Sequence, residues 1–230
     1  MAIQDQAEGK SSARRVEMVV RTLRHEIGDL LQSVYSAVAI LQERLPSGQN
    51  LERTILSDLR GRAELCKNEL DTVHDLVCPF ELNLDWTDLS ELSAGLVSSF
   101  TPRSSSLQVI CEVPRPLKVW ADAQRLAQTG TMLLISLGHA ARGKVEIRGF
   151  PPDAGGMVQW VFWHDGPPAG SEQLSWLQAP FSTTRHARFG LGLALARRVV
   201  EMHGGSIVAG ETPQGGCRVA LSLPAGPAPP

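Results

Sequence analysis

The apolar residues Val16, Val20, Leu23, Ile27, Leu30, Val34, Ala37 and Leu41 are spaced alternately four and three apart. That is the seam of an α-helix packed in a bundle or coiled coil. A strand repeats every two residues and cannot carry it. Pro46, Ser47 and Gly48 break the pattern, as residues that stop helices and form turns do. A second helical pattern follows at Ile55, Leu59, Ala63, Cys66, Leu70, Val73 and Val77 before Pro79 ends it. The two helices form a hairpin too narrow to cover both seams, so the spacing predicts a homodimeric four-helix bundle.

Beyond Pro79 the periodicity is mixed. Leu107–Val113, Leu117–Trp120, Lys144–Phe150, Met157–Trp163, Ser206–Ala209 and Cys217–Leu223 read as strands, and Asp122–Ala140 and Leu191–His203 as helices. Strands interleaved with a few helices predict an α+β chain: a helical hairpin over 15–80, then a two-layer α/β sandwich over 81–224. The polar residues 1–14 and the Pro/Gly/Ala-rich 225–230 are expected to be disordered tails.

Lys and Arg total 22 against 24 Asp and Glu, a net charge of −2, which gives no bulk attraction to nucleic acid or an anionic membrane. No run of about 18 apolar residues exists, and the first residues are polar rather than signal-like. A cytoplasmic protein is therefore expected. Cys66, Cys78, Cys111 and Cys217 are far apart without a CxxC pair, as in a chain whose thiols stay reduced rather than one that binds zinc. His74, His139, His186 and His203 lack metal-ligand spacing and are expected to be structural or exposed.

His25 falls on the side of the first helix opposite the seam, with Glu26 beside it and Asp29 one turn on. A carboxylate one turn away can hold one ring nitrogen and leave the other free as a nucleophile. The same triplet would also suit a plain solvated helix face.

Arg24-His25-Glu26-Ile27-Gly28-Asp29-Leu30-Leu31 resembles the phospho-acceptor box of two-component histidine kinases. Three further stretches resemble that family's nucleotide boxes, in the family's order: Asp122 to Gln128, Pro180 to Arg185, and Gly190 to Ala196 with His203-Gly204-Gly205. The resemblance implies a dimerising, histidine-bearing hairpin followed by an ATP-binding sandwich of the gyrase and Hsp90 kind. It implies that His25 carries the phosphoryl group and Glu26 draws off its proton. Where Asp29 stands the family usually has Asn or Thr, which orients a water for phosphatase activity. An ionised Asp29 can only accept hydrogen bonds and repels an incoming phosphoryl group.

By the same resemblance, nucleotide contacts fall at Ser136, His164, Asp165, Gly166, Thr183, Thr184, Arg185, Gly190 and Gly192, with Ser136 in the magnesium position. Several depart from the family pattern. Ser136 replaces the metal-binding Asn, and His164 replaces the Asp that reads the adenine amino group. Asp165 is one residue off register, and Pro168 replaces a glycine. An unmatched adenine contact costs about 1–3 kcal/mol and a weakened magnesium clamp a few more. A combined loss of about 4 kcal/mol is roughly a thousandfold in affinity, so ATP and magnesium are expected to bind weakly or not at all.

Three functions remain open at this point. One is a phosphotransferase exchanging phosphoryl between His25 and the aspartates of response-regulator receiver domains, with an upstream sensor kinase as source. Another is an ATP-dependent histidine kinase, and the third a non-enzymatic dimer that binds a response regulator.

Overall fold

The computed structural model describes residues 2–46, 49–100, 106–168, 187–212 and 215–226, of which 2–13 and 187–190 are described by their backbone alone. The chain divides into two compact units, Met1–Phe80 and Glu81–Pro230.

The first unit is two helices, α1 (Ala2–Arg44) and α2 (Asn50–Val77). The helix α1 begins at Ala2, inside the stretch 1–14 that the sequence reading expects as a tail. The leader holds Ala, Gln, Glu and Lys and no proline, and these residues cost little in a helix. The hairpin buries Leu31 and Val38 of α1 and Ala63 of α2. Arg24 of α1 donates from Nε to Asp71 Oδ1 of α2 at 2.7 Å, and the Cys78 thiol lies 3.9 Å from the Glu17 carbonyl oxygen. The seam residues divide differently from the sequence expectation. Val16, Leu23, Leu30 and Leu41 stay 49, 49, 63 and 51% exposed, as do Ile55 and Leu59 on α2 at 57 and 44%. The hairpin thus uses one apolar face internally and leaves a second face open.

The second unit is built on a five-stranded sheet in the order β2-β4-β5-β7-β6. Its strands are β2 (Gln108–Glu112), β4 (Lys144–Phe150), β5 (Met157–His164), β6 (Ser206–Glu211) and β7 (Cys217–Pro224). β2 and β4 run parallel and the other neighbours antiparallel. A two-stranded antiparallel ribbon joins β1 (Asp85–Asp88) to β3 (Lys118–Ala121). The helices are α3 (Leu89–Ser99), α4 (Ala123–Ala140) and α5 (Ala187–Met202).

Alternation along β5 places Val158, Trp160, Phe162 and His164 on one fully buried face. That face meets the helices: Trp160 Nε1 donates to Ser93 Oγ of α3 at 3.0 Å. Leu126, Leu133, Leu134 and Leu137 of α4 and Leu193 and Leu195 of α5 complete the core. Burying a side chain the size of Leu or Phe contributes about 1.5–3 kcal/mol.

Two elements were not expected from the sequence, β1 and α3. β1 is four residues long, and α3 turns Ser90 and Ser93 inward beside Leu89 and Leu96, which blurs its apolar period. α3 is fixed instead by its cap: Asp88 Oδ1 accepts from the Ser90 N–H and hydroxyl at 2.8 and 2.7 Å and from the Leu117 N–H at 3.1 Å. At the other end of the unit, the Ala225 N–H bonds to the Gly156 carbonyl at 2.9 Å. Of the expected tail at 225–230, residues 227–230 lie outside the described residues.

His203 ties α5 to α4. Its Nε2 accepts the Asp122 N–H at 2.9 Å, and its Nδ1–H donates to the Val199 carbonyl at 2.7 Å. Burial holds its pKa below 6.5, outweighing the pull of Val199 and Asp122 in the other direction. His164 is buried and lowered likewise. The unfolded chain therefore binds more protons than the folded one once pH falls below about 6.5, and stability falls as pH falls through that region. The expected loss is at most about 1.4 kcal/mol per histidine for each pH unit. Urea unfolding of the intact chain between pH 8 and 5 measures it, and a flat midpoint over that range would contradict the assignment.

Candidate functional site

His25 lies on the exposed side of α1, its side chain 76% accessible, with Nδ1 3.2 Å from Asp29 Oδ2. One helical turn separates the two residues, the spacing that lets side chains meet. A carboxylate can only accept here, so Nδ1 carries the hydrogen and the Nε2 lone pair faces outward, free to attack an electrophile. Glu26 is exposed and makes no hydrogen bond or ion pair among the described residues. The structure therefore pairs the histidine with Asp29 and leaves Glu26 unengaged. Beside His25 and Asp29 opens a cavity of about 580 Å³, bounded by Arg21, Arg24 and Gly28 of α1 and by Lys67, Asp71 and His74 of α2. Lys67 and Gly28 were not singled out in the sequence; a glycine in mid-helix was the available signal.

In the second unit, Ser136 sits on α4, 7% exposed. Its Oγ is 3.2 Å from the point where a Cβ on Gly192 of α5 would stand. The two helices approach there because residue 192 has no side chain. Ser136 Oγ makes no hydrogen bond among the described residues. One turn on, a Cβ at residue 166 would fall 1.8 Å from the Ala140 carbonyl oxygen. Gly166 is thus required for the loop after β5 to pass the end of α4.

His164 ends β5 on the face that carries the helices. Its Nδ1 accepts the Gly166 N–H at 2.9 Å. Burial lowers its pKa, against a smaller upward pull from Asp165, so the neutral ring carries its hydrogen on Nε2 and offers a donor there.

Asp165 turns away from this face. Its Oδ1 accepts the backbone N–H groups of Arg142, Gly143 and Lys144 at 2.9, 3.1 and 3.1 Å. Burial pushes its carboxyl pKa up, and those three bonds more than reverse the push, leaving the group below the usual carboxylate range. The expectation of Asp165 as a nucleotide contact meets a carboxylate already engaged in holding the α4–β4 turn.

Ser136, Gly166, His164 and Gly192 are brought to the same end of α4. Thr183, Thr184 and Arg185 lie outside the described residues, and Gly190 is described only as backbone in the first turn of α5. Among the described residues no group of three His, Cys, Asp or Glu side chains could hold a metal ion, and no helix is long and apolar enough to cross a membrane.

The chain thus carries a histidine-bearing helical hairpin, followed in sequence by a mixed-sheet α/β unit with a glycine-lined helix junction. Residues 128–227 match the family described as histidine kinase-, DNA gyrase B- and HSP90-like ATPase. The sensor histidine kinase ZraS of Escherichia coli O157:H7 is 26% identical over 226 residues, covering 96% of this chain and 49% of that protein. The sensory histidine kinase/phosphatase NtrB of Rhodobacter capsulatus is 30% identical, covering 95% of this chain and 64% of that protein. The chain thus spans between about half and two thirds of the length of these curated relatives. Among solved structures, full-length ShkA in complex with AMPPNP shares the fold over 90% of this chain and 45% of its own, with a TM-score of 0.70 at 21% identity. The catalytic domain of the histidine kinase ThkA matches 63% of this chain and 99% of its own, with a TM-score of 0.55 at 26% identity. Residues 128–227 thus belong to that ATPase family, and the chain as a whole is similar to sensor histidine kinases.

Proposed function

We propose that this protein is a phosphoryl carrier of a two-component relay. His25 takes a phosphoryl group from the aspartate of one response-regulator receiver domain and passes it to another, an upstream sensor kinase supplies the relay, and the second unit serves for docking. One observation carries the reading: His25 is exposed, with Nδ1 held by Asp29 and Nε2 free. In the transfer the Nε2 lone pair forms the N–P bond while the acyl phosphate P–O bond breaks, and its electron pair returns to the leaving carboxylate. The ring gains a positive charge as it does so, and Asp29 stabilises it through the Nδ1–H. Glu26, one residue on and unengaged, is available to take up a proton. Asp29 cannot present a hydrogen to orient a hydrolytic water, so phosphatase activity is weak.

The nucleotide end supports the same reading. A magnesium–adenine nucleotide asks for an acceptor at its amino group and a strong oxygen ligand at its metal. His164 offers a donor, Asp165 is engaged, and Ser136 offers one hydroxyl. These groups do not fit that ligand well, and we infer that ATP binds weakly. The ATP-dependent kinase is the second reading, favoured by the sensor-kinase names of the curated relatives. Incubation with a pre-phosphorylated receiver and, separately, with γ-labelled ATP separates the two: label reaching His25 from the receiver alone supports the relay, and label from ATP alone supports the kinase. A purely binding dimer has no use for the His25–Asp29 pair and would take label from neither.

The open apolar face of the hairpin supports a homodimer. Val16, Leu23 and Leu30 recur every seven residues on α1, with Ile55 and Leu59 exposed on α2. A stripe of that length exposed to water favours association. Sedimentation at micromolar concentration is expected to show a dimer; a folded monomer there would remove this part of the proposal.

A further inference from the structure

The geometry points to Lys67 of α2 as the cation that holds the phosphoryl group on His25, reaching it through a notch that Gly28 leaves in α1. The inference rests on His25 as the phosphoryl carrier and goes beyond it, because it supplies a group from the opposite helix.

Helices α1 and α2 run antiparallel, so one step forward on the first is matched by one step back on the second. Arg24 meets Asp71 at 2.7 Å. One turn further along α1, Gly28 therefore lies across from Lys67, and both border the cavity beside His25 and Asp29. A Cβ at residue 28 would meet nothing within 4 Å. Packing thus does not require glycine there, although glycine is the poorest ordinary helix former. What the missing side chain leaves is open space in the wall of the cavity that His25 and Lys67 both line.

The charges around the cavity are unequally committed. Arg24 is bound to Asp71, and Arg21 to Glu17 at 2.8 Å. Lys67 makes no ion pair among the described residues. A phosphoryl group on Nε2 brings about two negative charges. Asp29 already neutralises the ring side, so the phosphate oxygens require a cation from elsewhere, and a lysine on a flexible stem can follow them. The inference assigns Lys67 to the phosphorylated state rather than to the resting fold.

The test uses the full chain with phosphoramidate, which transfers its phosphoryl group to histidine with loss of ammonia: the N–P bond to Nε2 forms, and ammonia leaves with the electron pair of the broken P–N bond. ³¹P resonance follows the phosphohistidine. Lys67→Met is expected to slow its formation about tenfold, the effect of losing one charge-assisted hydrogen bond. The variant should also lose most of the retardation by salt that the parent shows. Lys67→Arg is expected to retain most of the parent rate. Gly28→Leu, which fills the notch with a better helix former, is expected to slow the reaction with Lys67 still present. Neither salt dependence nor rescue by arginine would follow from a merely structural lysine. If Lys67→Met matches the parent in rate and salt dependence, the inference falls and His25 stands. If the parent itself forms no phosphohistidine, the carrier reading falls and takes the inference with it.

Discussion

His25→Gln is expected to abolish phosphoryl uptake, by at least about a thousandfold, while the protein folds as before. The rate effect is large because an amide nitrogen has no lone pair free to form the N–P bond, so the nucleophile is removed rather than weakened. The stability effect is small because the side chain is 76% accessible and its one partner, Asp29, is 73% accessible. Exposed substitutions of this kind stay within about 0.5 kcal/mol. Glutamine also keeps helix propensity close to that of histidine or better. Labelling from a phosphorylated receiver, paired with urea unfolding of parent and variant, checks both halves. Label persisting on the variant would place the acceptor on another residue, and a large loss of stability would mean that His25 supports the hairpin.

The second large effect is expected at the nucleotide end, where Ser136→Asn combined with His164→Asp raises the affinity for magnesium–ATP by up to roughly a thousandfold. Each change repairs one arm. At residue 164 a carboxylate can still accept the Gly166 N–H that now bonds to Nδ1, and its remaining lone pairs would be available as acceptors for an adenine amino group. At residue 136 the longer amide reaches further than a hydroxyl toward a metal. Either single change should recover about tenfold, since the other arm stays unmatched. His164→Asn provides an acceptor without burying a charge and is the companion if the aspartate perturbs the core. Calorimetry on the parent and each variant measures the series. Tight magnesium-dependent binding by the parent would show that His164 and Ser136 already suffice.

The sequence exposed the hairpin clearly because a four-three spacing has one structural meaning. It also placed His25 outside the seam, where the structure has it. It did not separate the two apolar faces of α1. Leu31 and Val38, the best buried residues of that helix, belong to the hairpin contact, whereas the regular series Val16, Leu23, Leu30 faces outward. A single periodic pattern cannot say which of two interfaces a helix forms first. The strands β4, β5 and β7 were legible from alternation. β1 and α3 were not, because their order derives from Asp88, which caps α3 and binds the Leu117 N–H across the fold. Asp165 was the least legible residue. One position from an expected ligand, it reads as a displaced contact, and its three bonds to the Arg142–Lys144 backbone leave no trace in the sequence pattern.

Those three bonds bear on how the second unit closes one of its own turns. The turn between α4 and β4 is closed by a carboxylate from its own chain, anchored beside a loop that passes α4 through Gly166. That corner of the sandwich is thereby clasped by a single side chain, and Asp165→Ala would leave three backbone donors to find new partners.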